Sequence, residues 1–112
     1  MTRYEFEQTI FSVANRSPIC ETPIIRRSTP TSIGIRVPMT MGGFVDAFFN
    51  EQTGTIAFAL IQNDVRIFGA DNTGGWHLHP FSDPEKHQSL THTISFAKFI
   101  AAIEQYDSHN EK

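Results

Sequence analysis

Residues 55–68 read TIAFALIQNDVRIF, and this stretch decides the fold that the sequence predicts. Apolar side chains alternate with smaller or polar ones on both sides of Asn63 and Asp64, which is typical of strands with one buried face. Asn63 and Asp64 both tolerate a positive φ angle, so they can form a two-residue hairpin turn. The stretch predicts a β-hairpin, with the facing pairs Gln62 with Val65 and Leu60 with Ile67.

This register assigns the side chains of the hairpin to two faces, because neighbouring residues of a strand point to opposite sides of a sheet. One face carries Ile56, Phe58, Leu60, Val65 and Ile67. The other carries Ala57, Ala59, Ile61, Arg66 and Phe68. Arg66 is thus predicted to point away from the stripe of large apolar side chains.

Two further strands precede the hairpin. In the first, an apolar side chain recurs at every second position, at Ile33, Ile35 and Val37. Gly42-Gly43 then forms a turn into a strand over residues 44–49, and the polar residues 50–54 connect that strand to the hairpin. Before these strands, residues 18–31 hold three prolines and predict an irregular segment or an edge strand, anchored by Ile24 and Ile25.

Helices are predicted at both ends of the chain. Residues 3–15 place apolar side chains at helical spacing, Thr2 is the N-cap, and Pro18 ends the helix. Ser95 caps a second helix with a frayed polar tail after Tyr106. The buried stripe of that helix is Phe96, Phe99, Ile100 and Ile103. The sequence predicts an α+β fold, an antiparallel β-sheet meander flanked by an N-terminal and a C-terminal helix, with residues 1–112 as a single domain.

Composition limits the class of protein. The net charge of −3 argues against a protein that covers nucleic acid with positive charge, although five arginines lie within residues 1–36 and make that part the better phosphate-facing surface. No apolar run approaches the roughly 20 residues that a membrane span requires. A single cysteine, Cys20, cannot form an intramolecular disulfide, so we expect a small apolar role for it and a reducing cytoplasm for the protein.

Histidines cluster towards the C-terminal half. Four of the five histidines lie within 16 residues, with acids nearby, and they are His77, His79, His87 and His92. Such a group serves proton transfer or metal binding. Strand alternation places His77 and His79 on one face and Trp76 and Leu78 on the other, so both imidazoles are expected to point away from the core.

Three interpretations of this cluster stay open. The histidines can perform acid/base chemistry, or they can hold a catalytic zinc ion through His77, His79 and a third ligand. The candidates for that third ligand are His87, His92 and Asp71. Alternatively, the cluster is a polar loop with exposed histidines, in which Asp71-Asn72 simply makes a turn.

Other motifs are absent or neutral. The sequence has no Gly-rich phosphate loop with lysine, no dinucleotide fingerprint and no nucleophile elbow. Most aromatic residues fall at predicted core positions, so no base-stacking platform is indicated, although Trp76 and Phe68 could stack one base.

Arg66 can bind a phosphate through two hydrogen bonds, and Arg26, Arg27 and Arg36 can extend that surface.

The C-terminal half resembles the TumE-like toxin components of bacterial and archaeal toxin–antitoxin systems, over roughly residues 66–106. The matching segments are Phe68-Gly69-Ala70-Asp71-Asn72, His77-Leu78-His79-Pro80, Pro84 with His87, and the helix from Phe96 to Ile103. This chain departs from the family pattern where Gly74, Gly75 and Trp76 separate the Asp-Asn pair from the histidines. The resemblance implies a growth-inhibiting toxin that acts on RNA and is neutralised by a cognate helix-turn-helix antitoxin.

Together these observations predict a toxin-like ribonuclease. His77 and His79 are the predicted base and acid, Arg66 stabilises charge on the phosphoryl oxygens, and Asp71 orients an imidazole or holds the turn. Asn72 and His87 complete the candidate set. The predicted partners are the antitoxin and RNA, with a homodimer left open. No cofactor is predicted; the alternatives are a divalent metal at His77 and His79, and a non-catalytic protein-binding module.

Overall fold

The sheet is an antiparallel meander in the computed structural model, which describes residues 1–109. In those residues it has seven strands, and their order in the sheet is their order in the chain. They are β1 (Ile24–Ser28), β2 (Ser32–Pro38), β3 (Phe44–Asn50), β4 (Thr55–Gln62), β5 (Val65–Asp71), β6 (His77–His79) and β7 (Gln88–Ser89). The helices are α1 (Arg3–Arg16) and α2 (Phe96–His109). This confirms the predicted α+β fold, with an antiparallel sheet flanked by an N-terminal and a C-terminal helix.

Both helices cover the same face of the sheet. The ring of Phe6 in α1 stacks on Phe49 and Phe58, with ring centroids 5.2 and 6.4 Å apart. Phe58 also contacts Phe96 and Phe99 of α2, each at a centroid distance of 5.3 Å. Burial of these rings joins the two helices to the centre of the sheet, and this is the core of the protein.

No helix of residues 1–109 covers the other side of the sheet, which we call the open face. By strand register it includes Ile24 and the side chains of Arg27, Gly34, Arg36, Phe44, Asp46, Phe48, Ala57, Ala59, Ile61, Arg66, Gly69, Asp71, His77 and His79, with Arg26 at its β1 end. The polar and charged side chains of the central strands are therefore segregated from the core.

The predicted hairpin forms, but its register changes beyond the turn. Asn63 and Asp64 have φ angles of 51° and 63°, and Gln62 faces Val65, as predicted. The predicted pair of Leu60 with Ile67 is wrong, because a β-bulge leaves Ile67 unpaired. The pairs beyond the turn are instead Ile61 with Arg66 and Leu60 with Phe68.

The bulge decides the direction of two side chains. An extra residue in one strand reverses the alternation, so residues on either side of it can point to opposite faces. Arg66 consequently stays on the open face, as expected, while Phe68 lies on the helix side and is 5% exposed. The prediction that Phe68 shares a face with Arg66 is wrong for this reason.

The end helices agree closely with the sequence. Thr2 and Glu5 form a capping box, in which the Thr2 side chain accepts from Glu5 N at 3.1 Å and the Glu5 carboxylate accepts from Thr2 N at 2.8 Å. The Ser95 hydroxyl accepts from Lys98 N at 3.1 Å at the start of α2. The predicted stripe of α2 is buried. The helix continues past Tyr106 to His109, where a frayed tail was expected, and residues 110–112 lie outside the described part.

The segment before β2 differs from the sequence prediction in its anchors. It contains an edge strand, β1, but Ile24 and Ile25 are 49% and 44% exposed and do not anchor it. Ile19 is buried instead. Cys20 is half-buried, and burial raises the pKa of its thiol, in keeping with the expected apolar role. Within residues 1–109, neither helix is long and apolar enough to cross a membrane.

Candidate functional site

The predicted site residues converge at one end of the open face. A cavity of about 410 Å³ is lined by Ala57, Arg66, Asp71, Thr73, His77, His79 and His87. Five of the six candidate residues named from the sequence therefore line one cavity, although they come from β5, β6 and the loop before β7. The sixth, Asn72, does not line it.

Strand pairing places the two histidines of β6 over β5. His77 faces Asp71 and His79 faces Gly69. Leu78, between the histidines, packs against the core cluster, as does Trp76. The predicted alternation is thus confirmed, with both imidazoles on the open face.

His79 is the buried centre of the site. Its side chain is 4% exposed, and its Nε2 lies 3.2 Å from Oδ2 of Asp71. On the other side of the ring, Nδ1 lies 3.4 Å from Nη2 of Arg66. Asp71 is held in turn, because its Oδ1 accepts from Thr73 N at 3.0 Å.

The chemistry of these partners fixes the tautomer of His79. A guanidinium nitrogen only donates hydrogen bonds, so Nδ1 of His79 must be the acceptor. The ring proton then lies on Nε2 and is donated to the Asp71 carboxylate. Both ring nitrogens are engaged by these contacts, and His79 is therefore a positioned side chain whose nitrogens are not free for a ligand in the cavity.

Arg66 connects this network to the loop that follows β6. The same Nη2 donates to the backbone oxygen of Pro84 at 3.1 Å. Nε is buried without a hydrogen-bond partner among residues 1–109, and Nη1 makes no hydrogen bond to that part of the chain either. The guanidinium thus retains donor capacity in the cavity that it lines.

The loop between β6 and β7 places His87 over His79. Two successive turns lead the chain back to the open face. They are closed by hydrogen bonds from Asp83 N to Pro80 O at 3.1 Å and from Lys86 N to Asp83 O at 3.0 Å. The rings of His79 and His87 meet edge to face with centroids 4.5 Å apart. The ring of His77 lies 6.1 Å from that of His87, also edge to face. Three imidazoles thus surround one end of the cavity.

The other side of this loop is fixed to the core. Phe81 lies between two parallel rings, with its centroid 4.2 Å from that of Phe68 and 3.7 Å from that of Tyr106. Phe68 also stacks on Phe99 at 4.9 Å. Since Phe68 is buried in this stack, its predicted use as a base-stacking residue is wrong, and the same stack holds the loop that carries His87.

Two of the residues singled out from the sequence lie elsewhere. Asn72 closes the end of the sheet, where its side chain accepts from Ile56 N and donates to Gly54 O, both at 2.8 Å. This is a structural role, and Asn72 does not line the cavity. His92 is exposed and lies outside the cavity.

Metal ligation was the alternative use of the histidines. Among residues 1–109, no three His, Cys, Asp or Glu side chains are placed so that they could hold a metal ion together. Instead, a chain of polar contacts in the cavity links Arg66 to His79 and His79 to Asp71.

Gly69 makes room for this network. A Cβ atom at Gly69 would lie 3.2 Å from Cδ of Arg66 and 3.2 Å from the backbone oxygen of Phe58. We expect Gly69→Ala to lower the free energy of unfolding by about 1–3 kcal/mol through overpacking, measured by urea denaturation. Gly34→Ala is the matched control, because a Cβ there meets only Cβ of Arg27 at 3.6 Å. Equal effects of the two substitutions would contradict overpacking at Gly69.

Some features of the site had no signal in the sequence. The contact of Arg66 with the backbone of Pro84 depends on the path of the loop, and the stack of Phe81 depends on α2 lying beside β5.

The position of Phe48, by contrast, could have been predicted from the sequence. Val45, Ala47 and Phe49 of β3 are buried, so alternation places Phe48 on the open face.

Comparisons of the chain with protein-family models, with curated proteins and with solved structures give no match.

Proposed function

We propose that this protein is a cytoplasmic ribonuclease of toxin type that cleaves RNA by acid/base chemistry, with His77 and His87 as the two proton-transfer groups. The observation that carries the proposal is the convergence of three imidazoles, an arginine and a carboxylate in one cavity on the open face. The resemblance of residues 66–106 to TumE-like toxins supports the choice of RNA and of growth inhibition.

The geometry favours a different pair from the one suggested by the sequence. His79 is buried and both of its ring nitrogens are engaged, so it is poorly placed to exchange a proton with a substrate. The ring nitrogens of His77 and His87 make no hydrogen bonds to residues 1–109, and the two rings lie 6.1 Å apart on the cavity wall. Because both rings line the same cavity, a phosphodiester bound in that cavity can contact both of them.

Each histidine then has one task in the cleavage step. One imidazole, in its neutral form, takes the proton of a ribose 2′-hydroxyl while the 2′-oxygen attacks the adjacent phosphorus. The bond between phosphorus and the 5′-oxygen breaks, and the second imidazole, in its protonated form, gives its proton to that oxygen. The products are a strand ending in a 2′,3′-cyclic phosphate and a strand with a free 5′-hydroxyl.

The remaining residues stabilise and position these groups. Nη1 of Arg66 faces the negative charge that develops on the phosphoryl oxygens. Nη2 of Arg66 holds the loop at Pro84, while the Asp71 carboxylate fixes the ring of His79, against which His87 packs. Asp71 and His79 are thus positioning residues for His87.

The test is cleavage of an end-labelled single-stranded RNA by the purified protein in the presence of EDTA, together with growth after induction in bacteria. The proposal expects products that end in a 2′,3′-cyclic phosphate, identified by mass spectrometry, and growth arrest. Cleavage that appears only when a divalent metal is added would favour the metal-dependent alternative. An absence of both cleavage and growth arrest would overturn the proposal.

A second candidate function is that of a non-catalytic protein-binding module. The observation that favours it is the exposed edge strand β1, where Ile24 and Ile25 are 49% and 44% exposed. An unpaired strand edge with exposed apolar side chains can accept a strand of a partner protein. Stable copurification with an antitoxin, combined with no RNA cleavage by the free protein, would favour this function.

A further inference from the structure

We propose that the open face is the track for a single-stranded RNA, in which a base stacks on Phe48 and backbone phosphates contact Arg26 and Arg27. This inference rests on the proposed function, because the track leads to the histidine site. It assigns a binding role to β1, β2 and β3, which the cleavage chemistry does not use.

Charge is the first argument. The four arginines between residues 20 and 70, Arg26, Arg27, Arg36 and Arg66, all lie on the open face, which also carries Asp46 and Asp71. The open face therefore has a formal charge of +2, whereas the whole chain has −3. A polyanion is attracted to this face and repelled by the rest of the surface.

Two of these arginines are available to a ligand outside the histidine site. Arg36 forms a two-point ion pair with Asp46, at 3.0 and 3.2 Å, and its guanidinium lies 3.8 Å from the centroid of Phe44. Arg26 and Arg27 are exposed and form no ion pair within residues 1–109. They can therefore neutralise phosphates outside the histidine site, where Arg66 has that task.

Phe48 is the aromatic surface of the track. It is half-buried, and its cross-strand neighbours on the two sides are the small residues Gly34 and Ala57. A cavity of about 290 Å³ lies beside it, lined also by Arg26 and Arg36. Phe44, by contrast, is covered by the Arg36 guanidinium. A flat ring beside arginines is the arrangement with which proteins bind single-stranded nucleic acid without regard to sequence.

The track is continuous with the histidine site. One cross-strand row runs from Arg27 through Gly34, Phe48, Ala57 and Asp71 to His77. Ala57 lines the histidine cavity and is the direct neighbour of Phe48. With adjacent strands about 4.8 Å apart, Phe48 lies about 10 Å from the strand of Asp71, within reach of a base near the scissile phosphate. The small side chains between them form a shallow floor.

The test is binding of a fluorescently labelled 2′-O-methyl oligouridylate, which cannot be cleaved by attack of a 2′-hydroxyl. Binding is measured by anisotropy with the full chain. We expect Phe48→Ala to raise Kd on the order of 5- to 100-fold, and Phe48→Tyr to restore binding. Tyr4→Ala is the control, because Tyr4 is 69% exposed on α1, away from the open face, and its loss leaves Kd unchanged.

The arginines have a separate readout. Each phosphate that a protein neutralises on a single strand contributes about 0.7 to the slope of log Kobs against log salt concentration. The double variant Arg26→Ala and Arg27→Ala therefore lowers the magnitude of that slope by about 1.4. Melting temperatures show that each variant remains folded.

The outcomes separate this inference from the proposed function. Equal binding by wild type and all variants overturns the track even if the protein cleaves RNA. Tight, Phe48-dependent binding without any cleavage supports the track and counts against the ribonuclease. If Phe48→Ala weakens binding of an antitoxin protein and leaves the oligouridylate unaffected, the open face is a protein interface and the track is wrong.

Discussion

His77→Asn and His87→Asn are each expected to lower kcat/KM for RNA cleavage by about 100- to 10,000-fold, the contribution of one positioned acid or base. Asparagine keeps the size and polarity of the side chain in part but cannot exchange a proton near neutral pH. The two rings share the cavity wall with Arg66 and carry no other hydrogen-bonding task among residues 1–109. The loss should therefore be in the chemical step, measured by single-turnover cleavage of an end-labelled RNA.

His92→Asn is the matched control, because His92 is exposed and lies outside the cavity. Full activity in both variants, or an equal loss in His92→Asn, would refute the assignment of His77 and His87.

Phe58→Ala is expected to have the largest effect on stability, a loss of about 3–5 kcal/mol in the free energy of unfolding. Phe58 is 4% exposed and touches rings of both helices, namely Phe6 of α1 and Phe96 and Phe99 of α2. Truncation leaves a cavity between the sheet and both helices. A domain of this size has a total stability of about 5–15 kcal/mol, so the variant should be close to unfolding. Urea denaturation followed by circular dichroism measures the loss.

Phe48→Ala provides the comparison within the same sheet. Phe48 lies on the strand next to Phe58 but on the open face, where it is half-buried, so about 1 kcal/mol is the expected loss. Losses of equal size for Phe48 and Phe58 would show that the core does not lie between the helices and the sheet. The same Phe48 variant serves the RNA-binding test, and its small structural cost keeps that test interpretable.

Part of the candidate site could be predicted from the sequence. Alternation in β6 predicted that His77 and His79 share a face away from the core, and the clustering of histidines pointed to the correct end of the chain. The sequence did not predict that His79 would be buried between Asp71 and Arg66, nor that His87 would pack against His79. These contacts depend on the loop between β6 and β7, whose path is fixed by Phe81 and Pro84. The path of a loop cannot be predicted from a repeating sequence pattern, because a loop has none.

What the sequence determined by itself was local. The period of two in residues 55–68, the turn at Asn63 and Asp64, the cap at Thr2 and the apolar stripe of α2 each follow from neighbouring residues, because backbone geometry repeats over a few positions.

Only the tertiary structure decided which face Phe68 occupies and which histidines meet the solvent. The bulge at Ile67 places Phe68 under α2, where it stacks on Phe99, while Arg66 remains beside His79. The turn of the hairpin of residues 55–68 is thus specified by its own sequence. The faces that its side chains occupy beyond the turn depend on contacts with the helices and with the histidine loop.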